Sequence, residues 1–373
     1  MAKLGEVCKV SASTKMIDKS KAWLLNLDMV EQQTGRVVEY NFVGEDGLNG
    51  SITQFDTENV LYSKLRPNLN KVVLPERNGF CTSELLPLRP DARKLDRSYL
   101  AVFLRSDGFV NWAVSKTAGA KMPRLGTKDL LNANIPLPEI KEQKAIAEKF
   151  KKTEELISLR KQQLVKLDEL VKARFVEMFD AISPKKCASK IGECAEVLGG
   201  YAFKSDCFSN QGVPVVRIGN INDGRIDIDY NTCYAEEFWN KNPRFQARKY
   251  DILMAMSVAT TGKVGIYKSD ERLLINQRVA CIRARDDESA IFLFACLQLP
   301  WMYNLVQEAS AGCAQPNISG KQIETMPVPK PETSKVHQFA AFVERVDQQK
   351  QTIQQSLEKL ELMKKVLMQE YFG

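Results

Sequence analysis

In residues 139–180, apolar side chains return at every seventh position: Phe150, Ile157, Leu164, Val171 and Met178, with mostly charged and amide residues between them. A seven-residue return keeps all five on one stripe of a helix. Residues 332–373 carry the same pattern one step round. There Val346, Ile353, Leu360 and Leu367 form the stripe, while the places matching the first stripe include Lys350 and Lys364. Each stretch is about forty residues, roughly 60 Å of helix at ~1.5 Å per residue. Two such helices with offset apolar seams cover each other well, which predicts an intramolecular coiled coil; packing of each helix on its own module is the alternative. The chain runs out along one helix and returns along the other, so antiparallel pairing with a module at each end is expected.

Ahead of each helix the pattern changes. Short apolar and β-branched runs such as Asp251-Ile-Leu-Met-Ala-Met-Ser-Val and Arg278-Val-Ala-Cys-Ile-Arg alternate with turn residues such as Asn222-Asp223-Gly224. These predict α+β modules with a largely antiparallel sheet. Pro-x-Pro at 136–138 and 329–331 cannot sit inside a helix and marks the exit from each module.

The two halves are copies. Lys3-Leu4-Gly5-Glu6 returns as Lys190-Ile191-Gly192-Glu193, and the run Asn59 to Val72 lies over Asp251 to Val264 at a shift of 192. Tyr99 to Leu104 matches Phe292 to Leu297 at 193, and from Gly119 to Phe179 the shift stays at 193 with no gap. A constant register over some sixty residues implies duplication of one structural unit. The resulting organisation is a module at 1–138, a helix at 139–180, a linker at 181–189, a second module at 190–331 and a second helix at 332–373.

The 373 residues suit two cores. Hydrophobic residues at 44% and charged residues at 27% are those of a globular protein. No run approaches the ~18 apolar residues of a membrane span. The start, Met1-Ala2-Lys3-Leu4-Gly5-Glu6, lacks the basic and apolar regions of a secretory signal. A cytoplasmic location is expected. Nine cysteines (8, 81, 187, 194, 207, 233, 281, 296 and 313) form no C-x-x-C pair and read as reduced thiols. With a single histidine, His337, no metal site is expected. The net charge of +7 permits a polyanionic partner, but the second module is neutral overall, so any contact there needs a local patch.

Enzyme signatures are lacking. Ser257 to Val264 resembles a phosphate loop but lacks its first glycine and the hydroxyl after Lys263, and Leu198-Gly199-Gly200-Tyr201 has no strand-to-helix glycine frame. Asn242-Pro243-Arg244-Phe245 has one proline where an adenine methyltransferase would show two. Asp91, Lys94 and Asp96 read as a solvated turn, not a nuclease centre. No catalytic residue is assigned, and the chain reads as a binder.

The run Asn134-Ile-Pro-Leu-Pro-Glu-Ile-Lys-Glu-Gln-Lys-Ala-Ile-Ala, the helix through Phe179, the phrase Leu61-Tyr-Ser-Lys-Leu-Arg-Pro and the duplication resemble the specificity subunit of type I restriction-modification systems. The likeness spans the chain. It implies two target-recognition domains, each reading one half of a bipartite, asymmetric double-stranded DNA target, with the helices as spacers. It also implies a non-catalytic subunit that docks two adenine methyltransferase (M) subunits using S-adenosylmethionine, and through them restriction-translocase (R) subunits using ATP and Mg2+. The second copy departs from the pattern: Glu332-Thr-Ser-Lys-Val-His-Gln lacks the Glu-Gln of Glu142-Gln143, which bears on whether docking is symmetric. On the residues alone, a DNA-acting enzyme with an unrecognised centre or a coiled-coil protein scaffold stays open.

Between the copies apolar positions match while certain polar ones differ. Lys64 faces Met256, Glu84 faces Arg278 and Arg124 faces Asn317. Arg suits guanine, Asn or Gln adenine and Glu cytosine, so Lys64, Glu84, Arg124, Gln277, Arg278, Gln315 and Asn317 are candidate base-reading or groove-lining residues. Arg66, Lys121 and Lys263, in turn-like segments, are candidate phosphate contacts. Drift of ordinary surface residues is the competing explanation for any one of them.

Overall fold

Residues 60–63 and 252–255 are buried at every position, so neither stretch alternates between core and water; each is a strand covered on both faces. The computed structural model describes residues 1–15, 22–44, 48, 50–119, 121–222, 224–257, 260–311, 317–330 and 332–373. Gln315, with residues 312–316 of the repeat, Asp223, residues 258–259 and Pro331, lies outside the described residues. The chain divides into two units, Met1–Lys161 with Gln355–Gly373, and Gln162–Gln354.

In the first unit the order is β1 (Ala2–Lys3), α1 (Leu4–Val7), β2 (Cys8–Val10), β3 (Leu24–Leu25), β4 (Ile52–Phe55), β5 (Val60–Ser63), β6 (Val72–Val73), β7 (Gly79–Thr82), β8 (Leu85–Pro90), α2 (Arg97–Arg105), α3 (Asp107–Ser115), α4 (Thr127–Asn132) and β9 (Asn134–Ile135). The 40-residue helix α5 (Ile140–Phe179) follows. β1 pairs with β9, an antiparallel sheet runs β2-β8-β5-β6, and a smaller sheet runs β3-β7-β4 with β3 parallel to β7. Along β5 the side chains part: Val60 and Tyr62 join Tyr99, Leu100 and Phe103 of α2, while Leu61 joins Trp23, Leu25 and Phe55 beneath the other face. The period-2 geometry of a strand thus gives this unit two cores. Asp96 caps α2 by accepting from the backbone N–H groups of Ser98 and Tyr99.

The second unit repeats the main elements of this order and differs between β12 and β16. It holds β10 (Ser189–Lys190), α6 (Ile191–Cys194), β11 (Ala195–Gly199), β12 (Val213–Val216), β13 (Ile221–Asn222), β14 (Arg225–Ile226), β15 (Cys233–Tyr234), α7 (Glu236–Lys241), β16 (Ile252–Ala255), β17 (Val264–Ile266), β18 (Leu274–Ile275), β19 (Val279–Ala284), α8 (Asp287–Leu297), α9 (Pro300–Ser310), α10 (Gly320–Glu324) and β20 (Pro327–Val328). The 40-residue helix α11 (Thr333–Phe372) follows, and its residues from Gln355 on belong to the first unit, as those of α5 from Gln162 on belong to the second. The antiparallel sheet β11-β19-β16-β17 corresponds to β2-β8-β5-β6, and the parallel pair β12/β18 to β3/β7. Ile252 and Met254 face the helices, Leu253 and Ala255 the opposite core. Asp286 caps α8 as Asp96 caps α2. The chain is α+β, with two tandem copies of one module, each followed by a long helix.

Within each unit the long helices run antiparallel. In the first, Phe150 packs on Tyr371 and Phe372, Lys364 lies 2.7 Å from Glu154, and Lys161 lies 3.0 Å from Glu361. In the second, Lys350 pairs with Asp168, and Phe339 meets Phe175 and Phe179. In both cases a step forward along α5 is a step back along α11. Phe150 and Val346 are buried, whereas Ile157, Leu164, Val171, Met178, Ile353, Leu360 and Leu367 are half-buried. Lys350 and Lys364, at positions where the first copy has Ile157 and Val171, are half-buried at the seam with carboxylates beside them. His337, alone in the sequence, lies 2.7 Å from Glu288. Among the described residues no single helix is long and apolar enough to cross a membrane.

Candidate nucleic-acid interface

Three backbone segments meet at the outer end of β5, and the hydrogen bonds that join them recur in the second unit. The Lys64 N–H donates to the Glu84 carbonyl at 3.0 Å, and the Leu125 N–H donates to the Lys64 carbonyl at 2.9 Å. The Met256 N–H donates to the Arg278 carbonyl at 2.9 Å, and the Ile318 N–H to the Met256 carbonyl at 2.9 Å. Leu65 bridges Arg124 as Ser257 bridges Asn317. Leu125 and Ile318 are buried beneath. The same ledge is therefore built twice on an apolar footing, with Lys64, Glu84 and Arg124 on one copy and Met256, Arg278 and Asn317 on the other.

The side chains differ in how they are held. Arg124 and Glu84 form an ion pair: Nη2 lies 3.1 Å from Oε1, and Nε lies 3.3 Å from each carboxylate oxygen. Two residues read separately from the sequence are thus partners. Arg278, Asn317 and Gln277 are exposed. Arg278 donates its backbone N–H to Asn276 Oδ1, and the Gln277 N–H donates to the Tyr201 carbonyl.

Of the three candidate phosphate contacts, Arg66 and Lys121 lie on adjoining turns of the first unit and Lys263 on a turn of the second. Arg66 is exposed with φ +49°, a left-handed conformation, and its N–H donates to the Pro123 carbonyl, which ties it to the loop carrying Lys121 and Arg124. Lys121 is exposed in that loop. Lys263 is half-buried in the β16–β17 turn, its carbonyl accepting from the Ala255 N–H, as the Lys71 carbonyl accepts from Ser63 in the first unit. The structure groups Lys64, Arg66, Glu84, Lys121 and Arg124 through these three segments, and likewise Gln277, Arg278 and Asn317, with Lys263 on the neighbouring turn.

Tyr201 escaped the sequence reading. The residue is 38% exposed, its ring is backed by Phe203, Phe238 and Phe245, and its backbone runs beside Asn276 and Gln277. Gly200 permits that approach, since a Cβ there would stand 2.2 Å from the Asn276 carbonyl oxygen. The sequence signal for it is Gly199-Gly200-Tyr201, a paired glycine before an aromatic ring. Among the described residues no group of three or more His, Cys, Asp or Glu side chains could hold a metal ion.

The model of the type I restriction modification DNA specificity domain matches residues 1–169 and again 185–362. The type I restriction enzyme MjaVIII specificity subunit of Methanocaldococcus jannaschii is 26% identical over 315 residues, 78% of this chain and 73% of the relative. The EcoDI specificity subunit of Escherichia coli is 30% identical over 117 residues, 31% of this chain and 26% of its own. Two solved structures share the fold. The S subunit of a type I restriction-modification system from M. genitalium has a TM-score of 0.60 at 14% identity, covering 100% of this chain and 95% of its own. A chain solved in work on complex assembly and conformational transition of the type I R-M system has a TM-score of 0.59 at 20% identity, covering 100% and 96%. With the specificity-domain model matched twice across nearly all its length, the chain belongs to the type I restriction-modification DNA specificity family, as a specificity subunit with two tandem target-recognition domains.

Proposed function

We infer that the chain recognises a bipartite, asymmetric double-stranded DNA sequence, the module at 1–138 reading one half and the module at 190–331 the other. The observation that carries this reading is the duplicated ledge. One backbone scaffold presents Lys64, Glu84 and Arg124 in the first module and Met256, Arg278 and Asn317 in the second. Identical scaffolds with different polar faces are what two readers of different words require. Arg66, Lys121 and Lys263 supply phosphate contacts that add affinity without sequence information. The helix at 139–180, joined to the second module by the linker at 181–189, and the helix at 332–373 set the gap between the halves and dock two adenine methyltransferase subunits.

Chemistry belongs to the partners. The methyltransferase subunits use S-adenosylmethionine, and restriction-translocase subunits joined through them use ATP and Mg2+, all in the cytoplasm. The test is to co-express the chain with its neighbouring methyltransferase and map the methylated adenines. A two-part motif with a fixed gap supports the reading; a continuous palindrome overturns it.

A further inference from the structure

We propose that Glu84 and Arg124 form one reading element in the first module: Glu84 does not read a base but holds the Arg124 guanidinium so that its free edge meets a guanine. This rests on the DNA-recognition reading and assigns the chemistry of its first half-site. The carboxylate engages the Nε and Nη2 side of the guanidinium. That leaves Nη1 and the outer Nη2 hydrogen, a second parallel pair of donors with the spacing of guanine O6 and N7. The pair is open to solvent, Arg124 at 44% and Glu84 at 26% side-chain exposure, so an incoming base edge can reach it.

A purely structural role for the ion pair is argued against within the chain itself. The β7–β8 turn carrying Glu84 and the loop carrying Arg124 are already joined by backbone hydrogen bonds through Lys64. The second module makes the same joint with the same bonds, yet places Arg278 and Asn317 where the ion pair stands. The fold of the ledge therefore does not need Glu84 and Arg124 to attract each other. What the pair supplies is a guanidinium fixed in direction and neutralised in charge, suited to a bidentate acceptor and poorly suited to a passing phosphate. The second module dispenses with that device.

The experiment uses the full chain in complex with its methyltransferase partner. Binding is measured on a DNA library randomised in the first half-site with the second half-site fixed, at several salt concentrations. Arg124→Ala is expected to lose the preference for guanine at one base pair by about tenfold to a hundredfold. Glu84→Gln is expected to weaken the preference at that same base pair and no other. Its binding to unrelated DNA should fall more steeply with salt, by about one unit of slope, because a released Arg124 can neutralise a phosphate. Thermal melting of both variants close to wild type would show that neither effect comes from unfolding. Unchanged guanine preference in Glu84→Gln, or a change confined to a separate cytosine position, overturns the pairing while leaving the DNA-recognition reading intact. A wild-type complex with no sequence preference at all removes both.

Discussion

Arg283 grips Asp251 with two parallel bonds, Nε to Oδ1 at 2.9 Å and Nη2 to Oδ2 at 2.6 Å, and the carboxylate is only 2% exposed. The first module has its own version, Arg89 Nη2 to Asp56 Oδ2 at 2.7 Å. In both, an arginine on the long inner strand of the sheet, β8 or β19, reaches a carboxylate shortly before the neighbouring strand, β5 or β16. Removing one partner leaves a buried charge uncompensated, which costs about 3–5 kcal/mol. Arg283→Ala should therefore lower the unfolding midpoint far more than Arg278→Ala, although both remove an arginine from one module. Equal melting temperatures for the two variants would show the buried pair to be inert.

Asp56 adds a pH dependence. Burial pushes its carboxyl up, but hydrogen bonds from Ser13, Arg89 and the Glu58 backbone outweigh burial and hold it at about 2. A folded value below the ordinary ~3.9 means the charged form stabilises the fold above about pH 4, and that the contribution drains away as pH falls toward 2. At ~1.4 kcal/mol per unit, the amount at stake is about 2–3 kcal/mol. The gap in urea midpoint between wild type and Asp56→Asn should be wide at pH 6 and narrow at pH 3. A gap independent of pH would mean that the charge itself contributes nothing.

Gln143 is fully buried, and its side chain is used three ways: Oε1 accepts from the Asp96 N–H at 2.8 Å, and Nε2 donates to the carbonyls of Lys94 and Pro138 at 2.9 and 2.8 Å. The equivalent residue in the second copy is the buried Val336, packed among apolar side chains. The missing glutamine in the second copy is thus a change inside the module and leaves no gap in an outer docking face. Gln143→Leu strands a backbone donor and two carbonyls and should cost about 2–4 kcal/mol. Val336→Ala removes only methyl groups and should cost about 1–2 kcal/mol. Chemical denaturation of the two variants compares them directly.

The long helices and the duplication were legible because both are periodic over long spans. Seven-residue spacing survives forty residues, and α5 and α11 begin and end in the same register. The central strands were legible as apolar runs, but the polar locks behind them were not. Asp251 and Arg283 are 32 residues apart, Glu84 and Arg124 are 40 apart, and no local pattern joins them. The candidate interface was therefore readable as a set of positions where the copies differ, and not as a set of partners. Tyr201 was missed because its role depends on rings brought in from Phe238 and Phe245, far along the chain.

The helix seam separates apolar from ionic contributions. Phe150, 1% exposed and packed on Tyr371 and Phe372, should cost about 3–5 kcal/mol when truncated to alanine. Glu154→Gln and Asp168→Asn break exposed or half-exposed pairs with Lys364 and Lys350 and should cost at most about 1 kcal/mol each. Raising the salt concentration should shrink the ionic effects and leave the Phe150 effect unchanged. A charge variant as damaging as Phe150→Ala would place the pairing energy in the ion pairs instead.

Arg278 and Lys263 offer the sharpest division of labour in the second module. Arg278 is exposed on the ledge beside Asn317 and Tyr201, where a base edge would lie, whereas Lys263 sits on the adjoining turn between β16 and β17. A base contact and a phosphate contact leave different signatures in the same binding experiment. Arg278→Ala should cost about 1–3 kcal/mol on the cognate site and relax the preference at one base pair of the second half-site, with the first half-site unaffected. Lys263→Ala should weaken binding to every sequence alike and reduce the salt slope by about one. If Arg278→Ala also weakens all sequences equally, its side chain lies on the phosphate backbone, and Gln277 and Asn317 become the remaining readers of that half.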